Sequence, residues 1–292
     1  MKNFLSLGTT ILAGLFLTAT VSVASTPGSD NASSGSYSGG WNNGTDGGTP
    51  TFGPWTLSTS NTTTLSGTTT TDASSAAGFF IGDSTGPVGS GNGPGTGNIN
   101  TGANQSFGEY AHYGNAGDGG TISADATRSF DSALSVGQTF SIQIGVNFTN
   151  GNKGLDIFDS SNPSDNIFNL NVNGGPDYAV NNVTTGGGSL FGGVYDPQSI
   201  FTISLTQTGS GGGNWTVVRS GSAVSTGTAN GTYTGDPGSM GLYINNTDPN
   251  SLNANNLYAN NLSIVPEPAT CGLALAGFGL LLGVRKLRKL SA

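Results

Sequence analysis

A serine or cysteine nucleophile needs a histidine within hydrogen-bond reach to take its proton. This chain has one histidine, His112, and one cysteine, Cys271, which sits inside an uncharged C-terminal run. No nucleophile-base pair is in prospect. Glycoside hydrolysis ordinarily needs two carboxylates flanking one bond. Residues 25 to 265 hold a single glutamate, Glu109, beside fourteen aspartates, and no Glu-x-Asp-x-Glu run. Asp156 and Asp159 form a close pair, but nothing marks one as acid and the other as base. Calcium takes several oxygen ligands from carboxylates, amides and carbonyls. Asp156, Asp159, Asn162 and Asp165 crowd one loop, and Asp118 lies in a glycine-rich turn. The same residue types build turns without any metal, and no EF-hand loop or nonapeptide repeat is present. The sequence therefore reads as a non-enzyme with no metal ligand and no cofactor. Contact chemistry remains. Tyr110, His112 and Trp215 are the candidate aromatic contacts for a glycan.

Such side chains must be held by strands. The chain has 50 glycines and is rich in Ser, Thr and Asn, with few of the Lys and Glu residues that favour helices. Gln138 to Phe148 alternates without a break, Phe140, Ile142, Ile144, Val146 and Phe148 on one face and Ser141, Gln143, Gly145 and Asn147 on the other. Period two over that length predicts a strand with one face in a core. Shorter strands are predicted at Phe52 to Leu57, Ala77 to Ile81, Phe107 to Tyr113, Thr121 to Phe130, Lys153 to Phe158, Ile167 to Val172, Tyr178 to Val183, Leu190 to Tyr195, Ile200 to Thr206 and Trp215 to Val218. A late strand presents Met240, Leu242 and Ile244, and the last presents Tyr258, Leu262 and Ile264. In Phe107 to Tyr113, Glu109 falls on the face of Phe107 and Ala111, with Tyr110 and His112 on the other. Many short strands separated by turn residues predict an all-β protein, an antiparallel β-sandwich. Uneven strand lengths and long loops favour two sheets over a closed barrel.

The termini carry a different message. Lys2, the apolar stretch Phe4 to Val21 and the small residues Ser22-Val23-Ala24 predict a signal helix cleaved after Ala24. At the other end, Pro266-Glu267-Pro268 precedes the uncharged run Ala269 to Val284 and the basic cluster Arg285, Lys286, Arg288 and Lys289. Sixteen residues span roughly 24 Å as a helix, nearly a bilayer core, and the cations hold that end on the cytoplasmic side. A buried amphipathic helix fits less well, because the run has no polar face. The predicted organisation is a signal peptide at 1–24, a Gly/Ser/Thr-rich and partly flexible region at 25–75, a β-sandwich ectodomain at 76–265, and a sorting segment with a transmembrane helix at 266–289. Residues 25 to 265 contain three bases, Arg128, Lys153 and Arg219, against fifteen acids, a net charge of −12. That balance argues against nucleic acid and anionic membrane surfaces as partners. The ectodomain has no cysteine, so disulfides cannot hold it.

The order Pro266-Glu267-Pro268, apolar span, Arg285 to Lys289 resembles the PEP-CTERM sorting signal of Gram-negative bacteria. The resemblance implies recognition by an exosortase-type sorting enzyme, which processes the protein near the motif. Membrane attachment through the C-terminal helix would then be transient, on the way to the cell surface or extracellular matrix. The strands from Arg128 to Phe148 and the closing strand Leu257 to Ile264 resemble concanavalin A-like jelly-roll modules, a fold often used to bind glycans. The expectation is an exported envelope or matrix protein with a structural or adhesive role in contact with exopolysaccharide. A carbohydrate-binding lectin module is the alternative reading, and a divergent glycoside hydrolase the third.

Overall fold

The computed structural model describes residues 27–47, 51–85, 97–146, 150–173, 178–193, 196, 198–221, 226–248 and 256–266. Fifteen strands among them form two antiparallel sheets enclosing one apolar cluster. The predicted signal helix, Phe148, Glu267, Pro268 and the apolar C-terminal run lie outside the described residues. Among the described residues, no helix is long and apolar enough to cross a membrane.

The first sheet runs β13 (Gly227–Thr234), β12 (Gly212–Ser220), β11 (Ser199–Gly209), β6 (Gln138–Val146), β15 (Leu257–Pro266), β4 (Ser106–His112) and β3 (Ala76–Gly82). The short β1 (Gly28–Asp30) adds to the far end of β15. The second sheet runs β10 (Gly188–Leu190), β9 (Tyr178–Asn181), β8 (Asn166–Asn173), β7 (Asn152–Asp159), β14 (Pro237–Asn245), β5 (Ile122–Phe130) and β2 (Phe52–Asn61). The alternation read in β6 is what the fold uses. Phe140, Ile142 and Ile144 are fully buried and sit in register with Leu205, Ile203 and Phe201 of β11. From the second sheet they meet Leu155 and Ile157, Phe168 and Leu170, and Met240 and Leu242, all buried in the same cluster. Burying each such side chain contributes about 1.5–3 kcal/mol against leaving it in water.

Three expectations are corrected. The strand expected at Phe52 to Leu57 runs on to Asn61 as the ten-residue β2, and with β1 it brings part of the 25–75 stretch, read as partly flexible, into both sheets. The organising contact is Arg128, which projects inward from β5. Its guanidinium lies 4.8 Å from the Phe52 ring centre and 5.1 Å from that of Trp55. It pairs with Asp30 and Asp46 and donates to the Gly53 carbonyl at 2.6 Å. Tyr37 donates to Asp30 and accepts from the Trp55 indole at 3.0 Å. The last strand is the second correction. Asn261 adopts φ 55°, and the β15–β6 register shifts between Asn260 and Ser263. This bulge inserts a residue and reverses the parity of the strand. Leu257 and Ala259 therefore point inward together with Leu262 and Ile264, and Tyr258 turns to the outer face. Third, the chain after Leu190 does not continue as a strand but tightens into a 3-10 turn at Phe191–Gly193.

All three bases of this body are buried. Arg128 and Arg219 are each 2% exposed and Lys153 is fully enclosed. Arg219 lies 4.7 Å from the Tyr178 ring centre and donates from Nε to Ser199 Oγ at 2.9 Å. The described surface thus shows carboxylates and no lysine or arginine. A lysine/arginine-specific protease should leave the folded body uncut, while the urea-unfolded chain is cleaved after Arg128, Lys153 and Arg219. Mass analysis of native and denatured digests checks this; native cleavage at any of the three would contradict it.

Candidate functional site

The outer face of the first sheet carries a strip of rings near its β3 edge. Period two sends Tyr110 and His112 of β4 outward while Phe107, Glu109 and Ala111 point into the core. Register then brings β3 alongside, with Phe80 opposite Gly108 and Gly78 opposite Tyr110. On the other flank, Tyr258 of β15 also pairs with Gly108. Glycine at these two positions leaves room for rings to lie flat on the sheet. A Cβ on Gly108 would meet the Phe80 ring at 2.3 Å, and one on Gly78 would meet Tyr110 Oη at 2.8 Å.

The result is a continuous strip. His112 stacks on Tyr110 with ring centres 5.8 Å apart and an interplanar angle of 24°. Tyr110 lies 6.3 Å from Phe80, and Phe80 meets Tyr258 edge-on at 5.7 Å. Phe80, Tyr110 and His112 are half-buried; Tyr258 is buried. His112 Nδ1 lies 3.1 Å from the Tyr113 carbonyl. A carbonyl can only accept, so Nδ1 is the donor in this contact. The strip offers flat apolar faces beside polar groups, the Tyr110 hydroxyl and the His112 ring nitrogens. That combination suits stacking and orienting a ring with both C–H and O–H groups.

Trp215 does not join it. It points inward from β12, is fully buried, packs 5.9 Å from Phe168 and donates its indole N–H to the Thr185 carbonyl at 3.1 Å. A glycan cannot reach it. Phe80 was not singled out by sequence. The signal that could have found it is the pair of glycines, Gly78 and Gly108, one on each of two aromatic-bearing strands.

The acidic loop also takes a definite form. Asp159 Oδ1 accepts from Ser161 N at 2.7 Å and from Ser161 Oγ at 2.6 Å, and Oδ2 accepts from Asp236 N at 2.9 Å. These bonds, those from Ser161 first, hold the Asp159 carboxyl below the usual range. Asn162 Oδ1 accepts from Ser164 N at 3.3 Å, and Asp165 N donates to the Asn162 carbonyl at 2.8 Å. Asp159 Oδ1 and Asn162 Oδ1 are thus engaged in turns of the loop itself, and Asp159 Oδ2 ties it to Asp236. Asp156 belongs to another set, on the outer face of the second sheet, where it accepts from Asn166 and Asn169. Among the described residues there is no group of three or more His, Cys, Asp or Glu side chains that could hold a metal ion.

Two buried ionisable groups face the interior. Glu109 is fully enclosed, with neither carboxylate oxygen hydrogen-bonded. Burial, with the Asp125 charge adding to it, pushes its pKa well above the ordinary carboxylate value. Burial lowers Lys153 to about 7.

The model of one protein family, the PEP-CTERM protein-sorting motif, matches residues 265–289. The chain carries a PEP-CTERM sorting motif. The motif implies an exported protein directed to the cell surface. The motif starts inside the folded body. Val265 and Pro266 still pair with Thr139 and Gln138 of β6, so the first proline of the motif is the last residue of a strand. No curated protein matches the sequence. Among solved structures, the chain is similar to the Trypanosoma rangeli sialidase at 12% identity and TM-score 0.27, over 44% of this chain and 20% of that one. It is similar to the botulinum neurotoxin serotype C1 binding domain at 9% identity and TM-score 0.32, over 66% of this chain and 44% of that one. The Emp47p carbohydrate recognition domain aligns at 10% identity and TM-score 0.30, over 51% of this chain and 84% of that one. The chain thus spans less than half the length of the first two.

Proposed function

We propose that this PEP-CTERM protein is a non-catalytic component of the cell envelope or extracellular matrix, with a structural or adhesive role. Its sandwich contacts exopolysaccharide through Phe80, Tyr110 and His112. The observation that carries this reading is the aromatic strip on a body whose tail directs it to the surface. The all-acidic exposed charge supports it, since stacking on neutral rings does not require the cations this surface lacks. On this account the leader is removed after Ala24. The segment from Ala269 to Lys289 holds the protein in the inner membrane only until exosortase acts.

The test is affinity electrophoresis of the full chain in gels containing exopolysaccharide from the producing cells. Wild-type protein should be retarded. Tyr110→Ala/His112→Ala should bind at least tenfold more weakly, with an unchanged unfolding midpoint. Trp215→Phe, a change inside the core, should be retarded as wild type if it folds. Equal retardation of the Tyr110/His112 variant would sink the strip as the contact surface. The lectin reading differs in one readout: a defined oligosaccharide would compete the retardation away saturably, whereas a general adhesive contact requires the polymer.

A further inference from the structure

The two sheets end in β13 and β3, and in β10 and β2. The chain treats these edges differently. The far side of β2 is covered by residues 43–45, where Gly44 N donates to the Trp55 carbonyl at 2.8 Å and Trp55 N to that of Thr45 at 3.0 Å. The far side of β13 meets Thr184 and Thr185, whose amides donate to the Thr232 carbonyl at 2.8 and 3.2 Å. β10 is only three residues long. β3 has none of these protections. It pairs with β4 through all seven residues without a register shift, and among the described residues no strand pairs with its other side. Ala76–Gly82 contains no charge, no proline and no bulge, the devices that ordinarily guard an exposed edge. Its inner side is also unfinished. Ala77, Phe79 and Ile81 face the core yet are only half-buried, while Ala111, Glu109 and Phe107 opposite them on β4 are fully buried.

We propose that two copies of this chain join edge to edge through β3, antiparallel about a two-fold axis at Phe79, to make one sheet across both bodies. The strand is its own complement. Directly opposite residues of an antiparallel pair share a face, so an axis between two residues would set the outer face of one copy against the inner face of the other. An axis at a residue keeps the faces continuous, and the axis at Phe79 pairs the whole strand. Phe80 then stands opposite Gly78 of the second copy, Ile81 opposite Ala77, and Gly82 opposite Ala76. The large outward ring meets a glycine, as Phe80 already does at Gly108 within one copy. On the inner side, Ala77, Phe79 and Ile81 of both copies close the open margin of the two cores.

Charge selects this occupant. The described surface shows carboxylates and no lysine or arginine, so two copies repel over most of it, and β3 is an uncharged line along which they can meet. A basic partner would be drawn to the carboxylates and away from this strand. Seven residues a side is well below the roughly 20–30 of a stable complex, so the contact is weak and reversible, with a Kd on the order of 10 µM. The pairing would also set Phe80, Tyr110 and His112 of both copies on one continuous outer face, with the two β4 strands about 14 Å apart at about 4.8 Å per strand. One polymer chain could then engage both strips. That consequence rests on the strip being the glycan contact; the pairing itself does not.

Analytical ultracentrifugation of the full chain in mild detergent, with no polysaccharide present, tests the assignment apart from the glycan reading. Wild-type protein should pass reversibly from monomer to dimer as its concentration rises, and more readily at higher salt, which screens the acidic bodies from each other. Backbone amides of Ala76–Gly82 should exchange several-fold more slowly in the dimer than in the monomer. Ala77→Lys places a cation on the inner side of the joined edge and should weaken the dimer at least tenfold. Its unfolding midpoint should change little, since a lysine at an open margin can carry its charge out to water. Should that variant fail to fold, the concentration dependence of exchange in wild-type β3 decides alone. The assignment is overturned if the protein stays monomeric, if folded Ala77→Lys dimerises as wild type does, or if exchange in β3 does not change with concentration. Slow exchange throughout would mean that the chain covers its own edge, and fast exchange throughout that β3 pairs with no second copy.

Discussion

Replacing Arg128 with methionine should destabilise the folded protein by about 3–5 kcal/mol, the usual cost of removing one partner from a buried ion pair. The guanidinium is enclosed between Phe52 and Trp55, with Asp30 beside it and the Gly53 carbonyl at its Nε. Taking it away leaves Asp30, itself 3% exposed, as an uncompensated charge in the core. It also leaves Tyr37 as that carboxylate's principal side-chain donor. Asp46, more exposed, should lose little. The loss should be regional, with faster hydrogen exchange in residues 28–46 than in β6 or β11. Arg128→Met/Asp30→Asn should recover a large part of the stability, because the orphaned charge is gone. Denaturant titration measures all three proteins. A single variant within about 1 kcal/mol of wild type would show that this network does not hold the N-terminal segment.

Glu109→Gln should act in the opposite direction. The folded state keeps a proton on Glu109 that the unfolded chain, with an ordinary carboxylate near 4.5, releases. The folded state therefore binds more protons in the window above pH 4.5, and stability falls there as pH rises, by up to about 1.4 kcal/mol per pH unit, until the folded-state pKa is passed. Glutamine removes that fall, so the variant should be more stable than wild type at neutral pH and its pH profile flatter. Lys153 contributes with the other sign. It is an ordinary amine near 10.5 when unfolded but titrates at about 7 in the fold. Between those values the unfolded state binds the extra proton, so stability climbs from pH 7 toward 10.5. Lys153→Met should remove the climb. Urea midpoints of the three proteins from pH 4 to 10 test both signs. A Glu109→Gln profile parallel to wild type would mean that the carboxyl is not held protonated by the core.

The reasons for these effects were unevenly legible in the sequence. Alternation alone placed Phe140, Ile142 and Ile144 on one face, and put Glu109 on the face of Phe107 and Ala111, opposite Tyr110 and His112. It did not say that the Glu109 face was the inner one, because a glutamate ordinarily marks the wet side. Trp215 was misread for a related reason. Paired with Val217 it belongs to an inward face, and a tryptophan taken singly suggested a contact. Phe52 to Leu57 was legible as a strand, but the Gly, Ser and Thr of residues 28–47 read as partly flexible, and the residue they pack on, Arg128, is 98 positions from Asp30. Local patterns do not carry contacts of that range. The bulge at Asn261 escaped because it is a single backbone dihedral, with no periodic trace. The sheet faces themselves were the hardest to see. Phe80 and Tyr110 become platforms only through glycines on neighbouring strands, a relation that exists in register and not in sequence.

The tail remains the most specific functional element, and its position sharpens the account. Pro266 closes a strand of the first sheet, so the sorting motif follows the folded body without a spacer. Intact-mass analysis of the protein recovered from the surface or matrix of its own cells is the most direct test. The predicted mass corresponds to a chain that begins near Ser25 and ends near the Pro266-Glu267-Pro268 motif, without the run from Ala269 to Ala292. A surface protein that still carries Arg285 to Lys289, and is extracted only with the membrane, would contradict it.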